Sequence, residues 1–304
     1  MKGNRVRTDP PLEQYFRGIL LERIGQVQEL IRKQEDKDEM VHEVRRTVKR
    51  IRAVLKLIRD EIGYSSYYRE NLYFRDLGRV FSGARDSRVL GQVFRSLCDR
   101  HPGQVPAGEQ QAVLESLDRK HEKELSRILR EKGGFDQITG ELDLALGRTE
   151  QYCRMRNEFG SPGKGIRRIY GRARRGLHHL KREFQMAAFH EYRKNTKYLL
   201  HQVEVLSPLY PRVLKSYARS IDRHAETLGV ARDYDRLGIF IGKETGDLIG
   251  NDTRSGLLEQ LGLLRKELLE KIFSDAMRIY AEKPGAFVRR LQAYWDAGDG
   301  LQFK

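Results

Sequence analysis

The chain has 304 residues, and its 58 Lys and Arg against 43 Asp and Glu give a formal net charge of +15. This length suggests about two domains, and apolar residues recur often enough to give each a core and to exclude a disordered chain. No apolar run reaches the ~18 residues of a membrane span, and the N-terminus has no signal-peptide core, so we expect a soluble protein. Its two cysteines, Cys98 and Cys153, make no disulfide framework and indicate a reducing cytoplasm.

The first half of the sequence predicts a series of helices. Apolar residues from Val41 to Ile58 recur at alternating spacings of three and four, which is typical of a helix packed in a bundle. Asp86 is a candidate N-cap for the helix that follows it. The predicted helical segments are 11–34, 38–61, 66–82, 86–100, 108–132 and 138–157.

The second half predicts the same kind of structure. From Phe189 to Leu206 the apolar positions have the spacing seen after Val41, with Thr196 as the one polar member. No stretch of useful length alternates with the period of a strand, so the predicted fold class is all-α. The predicted helices are 165–184, 187–206, 210–228, 233–246, 254–281 and 285–296.

Two pairs of matching segments indicate an internal repeat. The pattern His-Glu-x-Arg-[Arg/Lys]-x-x-Lys occurs at 42–49 and again at 190–197, an offset of 148, and Ala-Arg-Asp occurs at 84–86 and 231–233, an offset of 147. Matches at nearly equal offsets predict a tandem duplication of a helical unit of about 150 residues. The Gly- and Pro-containing segment 158–163 suggests the boundary, so we divide the chain into 1–160 and 161–304.

The net charge is confined to two segments. Residues 42–59 carry a net charge of +6 and residues 164–197 carry +9, while acids and bases balance in the rest of the chain. In both segments together Arg outnumbers Lys by 12 to 6, which favours forked contacts with phosphate oxygens. A purely solvated surface would intersperse carboxylates, because like charges on one helix face oppose helix formation. The pattern therefore indicates a site for a polyanion.

The candidate binding residues follow from helical wheels of these segments. Basic side chains share one face of 42–56, the equivalent face of 190–197, and a stripe along 164–182. We include Arg50, which belongs to the same basic segment 42–59. The candidates are His42, Arg45, Arg46, Lys49, Arg50, Arg52, Lys56, Lys164, Arg168, Arg172, Arg175, His179, His190, Arg193, Lys194 and Lys197.

The doubled histidine motif and the two Ala-Arg-Asp segments, taken as turns in an all-helical chain, resemble the conserved histidine α-helical domain, or CHAD, family. The resemblance spans nearly the whole chain. It implies two four-helix bundles related by a pseudo-two-fold axis, with a basic groove or pore between them. It also implies binding of inorganic polyphosphate and, for some members, association with polyphosphate granules. The ligand contacts it implies are His42, Arg45, Arg46, Lys49, His190, Arg193, Lys194 and Lys197.

Other roles for the motif residues remain open at this stage. The histidines could ligate a metal, act as general acid or base, or donate hydrogen bonds to phosphate with a pKa that nearby anions raise; we favour the last. For Arg85, Asp86, Arg232 and Asp233 we favour helix capping and ion pairs that orient the motif helices over direct phosphate contact. Gly163-Lys164 and Gly242-Lys243 are not P-loops, because the residues that follow them are not Ser or Thr.

Three functions fit a basic all-α protein of this kind. The first is non-catalytic polyphosphate binding without cofactor or metal, in the cytoplasm or at granules. The second is general nucleic-acid binding, which the aromatic residues do not favour: Tyr170, Phe184, Phe189, Tyr192 and Tyr198 mostly fall on the apolar side, away from the cations. The third is a phosphate-processing enzyme, for which no nucleophile or carboxylate pair stands out. We expect no membrane partner.

Overall fold

The computed structural model describes residues 11–33, 36–130, 134–152, 155–156 and 158–297, and the described part contains helices and no strand. This confirms the all-α prediction. No described helix is both long and apolar enough to cross a bilayer. The helices are α1 (Leu12–Lys33), α2 (Lys37–Leu57), α3 (Arg59–Ile62), α4 (Tyr64–Val80), α5 (Ser82–Arg100), α6 (Ala107–Arg130), α7 (Gly134–Glu150), α8 (Gly160–Arg182), α9 (Met186–Val205), α10 (Pro211–Lys243), α11 (Asn251–Ile279) and α12 (Pro284–Ala297), with short 3₁₀ turns at Ser207–Leu209 and Gly246–Leu248.

Both motif segments form helices, although α2 ends at Leu57, before the end of the predicted segment 38–61. Asp36 caps α2, because its carboxylate accepts hydrogen bonds from the backbone N–H groups of Asp38 and Glu39 at 2.8 and 3.1 Å. The apolar stripes of α2 and α9 are buried. Thr196 lies in the buried stripe of α9, where its hydroxyl is hydrogen-bonded to the Tyr280 hydroxyl at 2.9 Å. This bond explains how a polar residue occupies an apolar position.

Several sequence predictions about helix ends are wrong. The segment 38–61 is divided at Ile58 into α2 and α3, and the helix predicted over 138–157 ends at Glu150. The segments 210–228 and 233–246 form one helix, α10, because a buried stripe that includes Leu228 and Ala231 continues through Gly229. Asp86 is not an N-cap, since α5 already begins at Ser82. Both Ala-Arg-Asp segments therefore lie within helices rather than in turns. The helix predicted over 165–184 begins earlier, at Gly160. Pro162 lies in the first turn of α8, where a helix tolerates proline.

The motif helices pack against each other at the centre of the molecule. The buried Gln202 side chain of α9 donates a hydrogen bond to the carbonyl of Ala53 in α2 at 3.1 Å. Helices α1 and α7 pack on the α2 side, and α8 and α12 pack on the α9 side. The α5–α6 pair forms a second hydrophobic cluster with α10 and α11. Helices on both sides of the proposed boundary at residue 160 thus contribute to the same main core. The division into two halves and their pseudo-two-fold relation stay predictions.

Cys98 is buried and has no disulfide bond, in agreement with the reduced thiol expected from the sequence, while Cys153 lies outside the described residues.

A close approach between α8 and α2 depends on Gly165. A Cβ atom at this position would overlap the backbone carbonyl of Leu57, and a backbone atom cannot move aside as a side chain can. We expect Gly165→Ala to lower the free energy of unfolding by about 1–3 kcal/mol. The matched control is Gly25→Ala in α1, where a Cβ meets no atom within 4 Å and alanine should be neutral or stabilising. Chemical denaturation of both variants checks this, and equal stabilities would contradict it.

Candidate functional site

Basic residues of α2 and α9 come together where the two helices pack, and an arginine of α10 joins them. Charge repulsion from Arg45, Lys197, Arg193 and Arg232 acts on Lys49. We call these five residues the central cluster. Four of them are equivalent positions of the doubled motif, so the structure brings together candidates that are far apart in sequence. The fifth, Arg232, was expected only to orient the motif helices.

The cations that the motif helices supply to the central cluster have no described carboxylate in direct contact, although Asp86, Asp222, Glu226 and Asp233 act on some of them from farther away. Among the residues that the structure describes, no carboxylate oxygen lies within 4.0 Å of the cationic nitrogens of Lys49, Arg193 or Lys197. Arg193 Nε is buried and has no hydrogen-bond partner in the described part of the chain. Arg45 donates a hydrogen bond to the carbonyl of Gly78 at 2.9 Å. Partly buried like charges without carboxylate partners are unfavourable unless an anion is supplied from outside.

Burial and the neighbouring positive charges lower the pKa values of these groups. Burial, together with repulsion from neighbouring cations, lowers the pKa of Lys49 to about 7. Burial and Arg232 lower the pKa of Arg193 to about 10. The pKa of Lys197 is also lowered, first by burial and then by Arg193. An anion among these residues would favour their charged forms and reverse these shifts.

Acidic residues beside the cluster hold the arginines of α10. Asp86 of α5 forms ion pairs with Arg236 and, at 3.9 Å, with Arg232, which also pairs with Asp233 at 3.4 Å. Asp86 therefore connects α5 to α10 rather than capping a helix. The positive charge of Arg85 helps to lower the pKa of His42, after burial. That these residues orient the motif helices stays a prediction.

A second group of cations lies towards the C-terminal end of α2. Lys56 donates a hydrogen bond to the Tyr67 hydroxyl at 3.1 Å and lies 5.0 Å from the centre of the Tyr198 ring, and Arg52 lies 5.8 Å from the same centre. Burial, then Arg52, Arg172 and Lys194, lower the pKa of Lys56 to about 8. We call Arg52, Lys56, Arg172 and Lys194 the distal cluster.

The distal cluster corrects the expectation that the aromatics stand apart from the cations. Tyr198 lies directly against Lys56 and Arg52, but it is only 4% exposed. Its ring face is therefore covered by protein cations and is not open for stacking with a nucleic-acid base. Sequence reasoning missed Tyr67 altogether, because nothing in the sequence shows that α4 places this residue beside Lys56.

A protein-family model matches most of the chain. A family model of the CHAD domain matches residues 18–241. The chain belongs to the CHAD domain family. No curated protein matches it. The match begins within α1 and ends within α10, so the CHAD domain includes all residues of the central and distal clusters and leaves out α11 and α12.

The two motif histidines of the CHAD domain differ from the expectation of a raised pKa. Burial and Arg85 lower the pKa of His42, and burial and Arg232 lower the pKa of His190. The expectation assumed a nearby anion, whereas the neighbours in the free chain are mostly cations. His190 lies near Arg193 of the central cluster. The Nε2 atom of His42 lies 3.8 Å from Oε1 of Glu43.

Several other candidates lie apart from the two clusters. Arg50 lies on another side of α2, near Arg23 and Glu204, because consecutive residues of a helix point about 100° apart. Arg46 pairs with Glu43, while Lys194 of the distal cluster pairs with Glu191. The exposed candidates on α8 that neither cluster contains are Lys164, Arg175 and His179. Arg168, also on α8, donates a hydrogen bond from Nη1 to Asp60 Oδ2 at 2.6 Å.

Proposed function

We propose that this CHAD domain binds inorganic polyphosphate through the central and distal clusters and does not cleave it. The proposal rests on one observation. Lys49, Arg193 and Lys197 lie near one another as partly buried cations, and none has a carboxylate within 4.0 Å among the described residues. Membership of the CHAD family supports the same ligand class.

The chemistry of the clusters suits polyphosphate better than nucleic acid. Polyphosphate presents a continuous row of phosphate oxygens and no bases, so a binder needs many N–H donors and no stacking surface. The clusters supply guanidinium and ammonium groups from α2, α8, α9 and α10. The Tyr198 ring is already covered by Lys56 and Arg52, and the half-buried Tyr67 ring lies 5.6 Å from Lys56 and 5.7 Å from Arg59.

Retention without cleavage is part of the proposal. Two carboxylates near the central cluster, Asp86 and Asp233, are engaged by arginines of α10, so neither of these two is free to activate water. We propose no metal or cofactor. The proposal also places the protein in the cytoplasm, at polyphosphate granules where the cell forms them. Orthophosphate release that disappears in His42→Ala or His190→Ala would overturn the non-catalytic part.

The salt dependence of binding tests the proposed ligand. The logarithm of the association constant for long-chain polyphosphate should fall linearly with the logarithm of salt concentration, because binding releases counterions. Removing one contacting cation should reduce the slope by about one. The measurement is titration calorimetry at several salt concentrations, with single-stranded and duplex DNA as competitors. Displacement of polyphosphate by DNA at equal phosphate concentration would replace the proposal with general nucleic-acid binding.

A further inference from the structure

A second basic surface lies where α8 meets the start of α12. A cavity of about 640 Å³ opens between the two helices, and no carboxylate is among its described lining residues. We call it the α8–α12 pocket. Its cationic lining residues are Arg167, Arg168, Arg172, Arg175, Lys283 and Arg289.

Two glycines leave room for the guanidinium groups at this pocket. A Cβ atom on Gly171 of α8 would lie 3.5 Å from Arg175 Nη1, and a Cβ atom on Gly285 of α12 would lie 3.5 Å from Arg289 Nη1 and 3.9 Å from Arg167 Nη2. The arginines from both helices therefore lie over bare backbone at the same cavity. Larger residues at these glycines would fill part of the space that an anion needs.

The nearest acidic residues do not neutralise this pocket. Asp60 accepts a hydrogen bond from Arg168 at 2.6 Å, and Glu282 accepts two from Arg290 at 3.1 and 2.7 Å. Arg168 Nη2 is buried without a hydrogen-bond partner in the described part of the chain. The other five cations of the pocket have no carboxylate within 4.0 Å among the described residues. The pocket thus concentrates positive charge for which the chain supplies almost no counter-charge.

The pocket is continuous with the distal cluster. Arg172 belongs to both, since it lines the pocket and repels the charge on Lys56. Arg168 and Arg172 both act on the hydroxyl of Tyr67, the partner of Lys56. A row of cations therefore leads from the distal cluster to α12. Lys283 and Arg289 lie beyond the residues that the family model matches.

We propose that the α8–α12 pocket is a second phosphate site, which holds further phosphate groups of the polyphosphate chain bound at the central and distal clusters. This inference rests on the proposed function. Lys49 and Lys56 are seven residues apart on α2, about 10 Å along the helix axis, and Arg172 connects the Lys56 end to the pocket. A tripolyphosphate ion covers one site at a time, whereas a long chain fills both. The second contact is then intramolecular and raises the affinity for long chains alone.

The test removes charge from exposed residues of the pocket. The variant Arg175→Gln, Lys283→Gln, Arg289→Gln changes only exposed side chains, so it should fold as the wild type does. Its matched control, Arg95→Gln, Lys123→Gln, Lys271→Gln, makes the same change of net charge at other exposed positions. We expect the pocket variant to bind long-chain polyphosphate about tenfold more weakly than the control. Tripolyphosphate should bind at two sites in the control and at one in the pocket variant.

Equal affinities of the pocket variant and the control for long-chain polyphosphate would overturn the second site. A further variant, Lys49→Met, Arg193→Met, Lys197→Met, separates this result from failure of the proposed function. If this central-cluster variant still loses affinity, the proposed function stands and only the second site is wrong. If the wild type itself does not bind polyphosphate, both proposals are overturned.

Discussion

Replacing Lys49, Arg193 and Lys197 with methionine should lower the affinity for long-chain polyphosphate at least about 100-fold. Each replacement removes donors that form charge-assisted hydrogen bonds, which contribute about 1.5–3 kcal/mol each. Because bound phosphates share several donors, we expect less than the sum of three such losses. Methionine keeps an unbranched apolar side chain, so the variant removes charge with little change in packing. Titration calorimetry at fixed ionic strength measures the effect.

The matched control for this variant is Arg95→Met, Lys123→Met, Lys271→Met, which removes the same net charge from exposed positions. General attraction between a basic protein and a polyanion depends on net charge and falls with salt. The control should therefore lose only a few-fold in affinity. Equal losses in both variants would mean that net charge, rather than the central cluster, holds the ligand.

The same central-cluster variant should make the free protein more stable. The three cations are partly buried beside one another and lack carboxylate partners among the described residues, so their removal relieves repulsion and desolvation. A gain in stability together with a loss of binding is the pattern expected where a site is kept for function. Thermal unfolding without ligand checks this prediction. Loss of helical content would instead show that the cations support the fold.

The sequence predicts the helices of the site well because their apolar stripes are long and regular. The stripes starting at Val41 and Phe189 are buried as expected. The motif residues Arg45, Arg193 and Lys197 act electrostatically on Lys49. Periodicity reports which face of a helix is apolar. It does not report how two helices cross, and that crossing decides which basic residues meet.

The predictions that failed depend on tertiary packing. Arg50 follows Lys49 directly, yet it lies near Glu204 of α9 instead of the central cluster. The sequence predicts separate helices over 210–228 and 233–246, but α10 is continuous because Leu228 and Ala231 extend its buried stripe across the predicted gap. The α8–α12 pocket combines residues more than 100 positions apart, such as Arg167 and Arg289, and no repeated motif connects them. A helical wheel cannot reveal a site of this kind.

The two clusters differ in how the protein stabilises their cations. In the distal cluster, Lys56 and Arg52 contact tyrosine rings, and Arg52 Nε donates to Asn71 at 3.2 Å. Arg193 and Lys197 of the central cluster have no such contacts with described residues. We therefore expect the central cluster to contribute more of the binding free energy, since a phosphate bound by Arg193 and Lys197 replaces no existing contact of these two side chains.

The affinity for polyphosphate should fall as the pH rises from 7 to 9, by about 10- to 100-fold. In the free protein the pKa of Lys49 is about 7 and that of Lys56 is about 8, through burial and repulsion by neighbouring cations. A bound anion raises both values, so binding above pH 7 takes up protons and weakens as protons become scarce. Below pH 7 both lysines are largely charged before binding, and this contribution levels off.

The double variant Lys49→Arg, Lys56→Arg tests the assignment of this pH dependence. Arginine stays charged throughout this range, so the slope between pH 7 and 9 should flatten in the variant. The control Lys123→Arg, Lys271→Arg makes the same exchange at exposed positions and should keep the wild-type slope. Titration of the phosphate groups at the chain ends affects all three proteins equally and cancels in the comparison. An unchanged slope in the double variant would show that Lys49 and Lys56 are not the groups that take up protons.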